Sequence, residues 1–480
     1  MKKSIKLNAI FNMIRQSCSI LIPLITIPYV SRTIGVSEYG RYNFSTSIVS
    51  YFTLIAALGI NSYAVREGAR VRANRSEFEK FTSEVFSINV LSTIVAYIGL
   101  FCLLIYGTQL NEYRDLILIQ STSILLITLG VDWVNTVYED YLYITIRYII
   151  LQIVALILIL TFVKSPTDCV IYTIICVFAS AGGNILNFFY IRKYVKIRLT
   201  IKVNLRRHMK PIMYLFFNSL AVTIYVSSDT TILGLYKGDV DVGIYSIATK
   251  IYTVVKQVLN SMIIVALPQL SEYVAQNNLD NYRKTARKIL ECLIMFVMPS
   301  VVGLIFLRKE IILLIAGVEY LEAFRPLTLL SIALGVTVIA AFYAVNVLMP
   351  YKKENICLKA SVISAVINIT LNFLIIPAFS YTGAAFTSLI AEIIAFVIYY
   401  RESKKIICIR PSKNIIISSI IGSLEIAIVC FVIKRIIREG VLRIMISIIL
   451  SVLIYSLVQV SLRNYLVMEF VDNMKRRLIK

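Results

Sequence analysis

The chain has 480 residues, 58% of them hydrophobic and only 16% charged. Apolar runs of about 20 residues follow one another to the end, which excludes a soluble globular protein and predicts a polytopic helical membrane protein. The formal net charge of +22 does not point to a nucleic-acid partner, because Lys and Arg gather in the short loops between apolar runs, as in proteins with a cytoplasmic positive side.

The predicted fold is all-α, with about 14 transmembrane helices arranged as two pseudo-symmetric six-helix lobes plus a C-terminal helix pair. In chain order the spans cover 9–31, 42–63, 82–106, 114–133, 142–163, 168–191, 211–235, 242–267, 288–307, 324–348, 356–377, 382–400, 413–433 and 441–462. The long Ile- and Leu-rich runs lack the alternation of an outer-membrane barrel. The first run continues past Val30 without a small-residue cleavage site, which predicts a retained helix. The expected domains are an N-lobe at 1–205, a C-lobe at 206–405, and the helix pair with a basic tail at 406–480. Eight cysteines are scattered without a CxxC, so neither disulfides nor a zinc site is indicated.

Loop charge sets the expected topology. Loops on the side of the N-terminus carry roughly three times as many Lys and Arg as the opposite loops, which places both termini in the cytoplasm. The heaviest cluster, 192–210, links the two lobes. The basic stretch Lys434–Arg443 runs against the rule, because it falls on the outer side. Two segments, 66–84 and 272–288, are amphipathic and read either as helices lying in the interface or as solvated connectors.

Gly35-Val-Ser-Glu38-Tyr-Gly40-Arg-Tyr42 and Gly238-Asp-Val-Asp241-Val-Gly243-Ile-Tyr245 share the pattern G-x-x-[D/E]-x-G-x-Y. The first lies between spans 1 and 2, the second between spans 7 and 8. Glycine suits the left-handed backbone of a tight turn, the acid suits the start of the next helix, and the tyrosine suits the aromatic belt. An internal repeat of this kind is typical of transporters.

With PYVSRTIGVSEYGRYNF at 28–44, LGVDWVNTVYEDYLYITIR at 129–147, SSDTTILGLYKGDVDVGIYSIATKI at 227–251, NVLMPYKKEN at 346–355 and NITLNFLIIPAFSYTGAAFTSLIAE at 368–392, the chain resembles the polysaccharide-transporter (Wzx-type) branch of the multidrug/oligosaccharidyl-lipid/polysaccharide exporter superfamily. The resemblance implies a flippase for an undecaprenyl-pyrophosphate-linked oligosaccharide, serving O-antigen, capsule or exopolysaccharide synthesis. Membrane lipids are implied partners, as are a polymerase and a chain-length regulator.

A pyrophosphate crossing hydrocarbon calls for cations facing a cavity. The candidates are Arg15, Arg32, Arg66 with Arg70, Lys250 and Lys256. Arg15 also reads as a side chain snorkelling to the interface, and Arg66 and Arg70 as ordinary positive-inside charges. The resemblance further implies an ion-coupling set for sodium or protons. By spacing it comprises Asp229, Asn368, Asn372, Ala384 and Ser388, with Na+ held by Asp229, Asn368, Asn372 and Ser388. Asn372 departs from that pattern, which has an acid there. Helix–helix hydrogen bonding is the other reading of these amides. Glu392 is a candidate for proton coupling, and Glu425 is a further intramembrane acid. Asp132, Glu139, Asp140 and Glu354 read as a gate pairing with Arg147 or other cations, or as loop charge beside an interfacial Trp133.

No catalytic residues and no cofactor beyond a coupling ion are expected, and the chain is read as a non-enzyme. A polymerase or ligase needs a large external loop, and a scaffold has no use for buried charge. The main alternative is a multidrug or cation efflux antiporter of the same superfamily.

Overall fold

The computed structural model describes residues 5–437 and 440–469. Its helices are α1 (Ile5–Ala57), α2 (Ile60–Val71), α3 (Arg75–Tyr106), α4 (Arg114–Gly130), α5 (Trp133–Val137), α6 (Tyr141–Phe162), α7 (Cys169–Val177), α8 (Gly183–Tyr190), α9 (Leu205–Lys237), α10 (Asp239–Ala275), α11 (Leu279–Ile315), α12 (Phe324–Ala341), α13 (Glu354–Ile406), α14 (Lys413–Ile436) and α15 (Val441–Ser461). Twelve continuous helical segments are long and apolar enough to cross a membrane. The two longest are interrupted, at Gly35 in α1 and at Ser380 in α13, so about fourteen crossings result. Helices suit such crossings because they satisfy their backbone polar groups internally.

By packing, the chain divides into two compact units, residues up to Gly243 and residues from Ile244 onward. In the first, α9 lies along α1. Ser50 and Ser227 hydroxyls meet at 3.0 Å, Tyr51 and Thr231 at 3.0 Å, and Thr231 donates to Ser47 at 2.9 Å. A Cβ on Gly234 would fall 2.1 Å from the Phe44 ring, so glycine sets the closeness of that seam. Small and hydroxyl residues do this between membrane helices, where lipid leaves little hydrophobic drive for association.

The repeated turns share one backbone geometry. Gly35 has φ 77°, ψ 172° and Gly238 φ 90°, ψ −171°, values open to glycine and costly for other residues. Their second glycines make an exchanged pair of contacts. A Cβ on Gly40 would lie 1.8 Å from the Asp239 carbonyl oxygen, and a Cβ on Gly243 2.2 Å from that of Val36. Tyr113 adds a hydrogen bond to Asp239 Oδ1 at 2.7 Å. Tyr42 tilts against Tyr172 with centroids 4.8 Å apart.

The segment 66–84 is the second half of the short helix α2, a turn and the start of α3, and 272–288 is the end of the long helix α10, a turn and the start of α11. Asn74 accepts from the backbone of Ser76 and Glu77 to start α3, and Asn278 from Asn281 to start α11. Trp133 is not an interfacial anchor. It is 5% exposed and packs with Phe78 and Phe81, because the break at Val131 turns α5 inward.

In the second unit, α14 and α15 pack on α11 and are fastened near both of its ends. Buried Glu291 receives Arg287 at 3.0 Å, the Ser412 backbone at 2.6 Å and the Tyr465 hydroxyl. Buried Glu310 receives Arg443 at 2.8 Å and Lys434 at 3.1 Å. The basic stretch that ran against the charge rule therefore has its counter-charge on α11.

Candidate functional site

Two candidates from separate lists meet in the second unit. Lys256 on α10 approaches Glu392 on α13 at 3.8 Å. Its ammonium also lies 5.3 Å from the centre of the Tyr252 ring, and the Tyr252 hydroxyl bonds that of Thr337 at 3.1 Å. Glu392 is buried, and Lys256 is half-buried over the aromatic face. A charge in this setting is costly unless paired. A long ion pair held beside a ring is the kind that an incoming anion can open. Lys250, about two turns earlier, is exposed.

The amide set also assembles within the second unit. Asn368, Asn372, Ala384 and Thr387 are fully buried. Asn372 Nδ2 donates to Asn368 Oδ1 at 3.2 Å. The Thr387 hydroxyl meets Asn372 Oδ1, and it lies 2.9 Å from the Ala384 carbonyl oxygen. Thr387, which the sequence reading passed over, is thus the hydroxyl of this cluster, while Ser388 is half-buried one position on. The amide, hydroxyl and carbonyl oxygens of this cluster suit a hard monovalent cation by type, beside the amide nitrogens of Asn368 and Asn372. The cluster is neutral, and its own protons already engage these oxygens. Asp229 is buried on α9, in the first unit. Among the described residues no three His, Cys, Asp or Glu gather as a metal centre.

Three of the four gate acids are tied down inside the first unit. Arg147 Nη2 reaches both Asp132 oxygens at 2.7 and 2.9 Å. Arg72 holds Glu139 at 2.9 Å. Asp140 is buried under Tyr190 and Tyr194, each donating at 2.7 Å, with Lys193 at 3.2 Å. Burial, and then the bond to Asp140, push the Tyr194 phenol up to about 12. Glu354 stands exposed in the first turn of α13, where the helix dipole favours an acid.

The remaining cations lie apart from one another. Arg66 and Arg70 are exposed and share Glu67 at 3.0 Å each. Arg15 is half-buried, with a long contact to Asn12 at 3.4 Å. Arg32 is exposed beside the Gly35 turn.

One buried cluster had no sequence signal beyond its single histidine. His208 is fully buried at the start of α9, with Nε2 2.7 Å from Glu84 Oε2 and Nδ1 2.6 Å from the Tyr63 hydroxyl. It ties α9 to α2 and α3. Glu425 is half-buried in the middle of α14.

Long apolar helices that bury paired charges and amides between them define a multi-pass membrane protein of the transporter class. Residues 5–274, more than half of the chain, match the family described as polysaccharide biosynthesis protein, and the chain belongs to that family. It is 21% identical to the "Putative O-antigen transporter" of Escherichia coli (strain K12), over 85% of this chain and 99% of that one. It is 24% identical to the capsular polysaccharide biosynthesis protein CapF of Staphylococcus aureus, over 85% and 100%. Among solved structures, the lipid II flippase MurJ in an inward closed conformation shares the fold. Its TM-score is 0.78 over 95% of this chain and all of that one, at 19% identity.

Proposed function

We propose that this protein is a flippase that carries an undecaprenyl-pyrophosphate-linked oligosaccharide from the cytoplasmic to the outer leaflet of a bacterial plasma membrane, for O-antigen, capsule or exopolysaccharide synthesis. The observation that carries the reading is the pairing of half-buried Lys256 with buried Glu392 in a chain of the polysaccharide biosynthesis family. Relatives named as an O-antigen transporter and a capsular polysaccharide protein support it. The termini stay in the cytoplasm, and a polymerase and chain-length regulator act on the product.

The mechanism exchanges counter-ions. When the pyrophosphate enters, Lys256 turns from Glu392 to the phosphate oxygens, with Lys250 as a second cation on the same helix. Glu392, the candidate for proton coupling, is then left without its cation. Reorientation carries the headgroup across. Return of Lys256 to Glu392 restores the ion pair and releases the substrate. Within the second unit, Asn368, Asn372, Ala384, Thr387 and Ser388 supply oxygen donors that would hold sodium as a second coupling ion, and Asp229, in the first unit, is a separate carboxylate candidate for coupling. Asp132, Glu139 and Asp140 fix the end of the first unit that closes toward the cytoplasm.

The test is reconstitution in liposomes with a fluorescent lipid-linked oligosaccharide. Movement of the glycolipid, accelerated by a proton or sodium gradient, is the expected result. A preparation that exports a cationic dye and leaves the glycolipid in place would establish the efflux antiporter instead.

A further inference from the structure

The first unit contains two adjoining cavities that the charged groups do not use. One, of about 470 Å³, is walled by Tyr42, Ser50, Thr53, Gln120, Ser123 and Ser180 among others. The second, of about 300 Å³, shares Thr53, Ala57 and Ser180 with it and continues to Asn61, Asn89, Asn184 and Trp133. Each falls in the size range of small-molecule sites, roughly 300–1,000 Å³.

We propose that this pair of cavities is a neutral saccharide subsite that reads the sugar portion of the cargo; the assignment rests on the flippase reading and adds the chemistry of recognition to it.

The wall has a definite hydrogen-bonding polarity. Thr53 donates to the Val49 carbonyl at 2.9 Å, Ser123 to that of Gln120 at 2.7 Å, and Ser180 to that of Val177 at 3.2 Å. Their protons are thus directed into their own helices, and what they turn outward is acceptor lone pairs. Gln120 is 6% exposed; its amide nitrogen donates to the Tyr42 carbonyl at 3.2 Å, and its oxygen Oε1 is buried with no hydrogen-bond partner among the described residues. An acceptor left in this state costs about 1–3 kcal/mol until a donor reaches it.

The acceptors of Thr53, Ser123, Ser180 and Gln120 suit a ligand with O–H and N–H donors, and the amides of Asn61 and Asn184 in the second cavity add donors for its oxygens. No carboxylate lines the first cavity to hold a cationic drug. The one acid of the second, Asp132, is neutralised by Arg147. Sugar hydroxyls and acetamido N–H groups match this chemistry.

Irregular backbone borders this space. Phe178–Gly182, which includes Ser180, is a π-helical turn, a form frequent at functional sites. Leu58 and Val131 have φ of 46° and 45°. Val131 lines the second cavity, and Leu58 follows its wall residue Ala57. A β-branched residue in the left-handed region is a strained outlier. Non-helical backbone at this depth is tolerated where it borders a cavity.

The full chain in lipid nanodiscs supplies the test. Trp133 is its sole tryptophan and lies on the wall of the second cavity, so its emission reports occupancy. A soluble disaccharide containing an N-acetylhexosamine is titrated by calorimetry and by Trp133 fluorescence, and undecaprenyl pyrophosphate without sugar is titrated in parallel. The disaccharide is expected to bind saturably and to shift the emission. Gln120→Leu, and independently Ser123→Ala, should weaken it at least tenfold while binding of the bare pyrophosphate lipid stays unchanged. No saturable disaccharide binding, or full affinity in both variants, overturns the subsite. Failure of the bare lipid to bind strikes the flippase reading instead and leaves the disaccharide result to stand or fall alone.

Discussion

The cavity around Gln120 and the ion pair Lys256–Glu392 treat polarity in opposite ways. The first, in one unit, is neutral and offers acceptors from serine, threonine and glutamine. The second, in the other unit, holds opposite charges beside an aromatic ring. Hydrogen bonds discriminate between shapes because a misplaced donor leaves a buried acceptor unpaired. Charges act at longer range and read little more than sign. A lipid-linked saccharide has both a hydrogen-bonding part and an anionic part, and a chain that separates the two tasks can change one without losing the other.

The largest expected effect breaks the charged side. Removing one member of a buried charge pair typically costs 2–5 kcal/mol. Lys256→Ala should therefore cut glycolipid transport by about 100-fold, with Lys256→Arg recovering much of it. Transport by Lys256→Ala at the normal rate would remove the ion pair from the path. Next comes Glu310→Gln, which asks whether a buried ion pair alone makes a functional region. Arg443 is left buried beside a neutral amide, so thermal unfolding should show a loss of about 3 kcal/mol, while the transport rate per folded molecule is kept. A selective loss of transport would join the C-terminal pair to the mechanism.

Smaller effects test the scaffold shared by both regions. Gly40→Ala forces a methyl group against the Asp239 carbonyl and should lower stability by about 1–3 kcal/mol, read from thermal unfolding in detergent. Smallest of all, Arg66→Ala and Arg70→Ala remove exposed charges that share Glu67. Stability should move by no more than about 0.5 kcal/mol and transport should stay level. A tenfold fall in transport would return these arginines to the substrate path.

Most of the fold was legible because hydrophobic runs report helices directly, and the repeat at Gly35 and Gly238 was legible because its turns need glycine. The site was legible residue by residue but not in its pairings. Lys256 and Glu392 lie on helices far apart in the chain, and nothing local marks them as neighbours. Thr387 was missed in favour of Ser388 because adjacent helical positions point about 100° apart, and spacing alone does not fix which faces inward. Trp133 was expected at an interface, since composition rules place tryptophan there. The left-handed Val131 that sends it into the core has no sequence signal. His208 sat among loop cations, and only the fold brings Glu84 and Tyr63 to it.

The exchanged glycine contacts leave no slack at the repeated turns. Gly40 rests on Asp239 and Gly243 on Val36, and position 36 corresponds to 239 as 40 does to 243. A contact that returns to itself when its partners are swapped is self-complementary, the kind that a two-fold pair makes. The neighbouring positions differ, as Arg41 and Ile244 do, while the two glycines are held by lack of room.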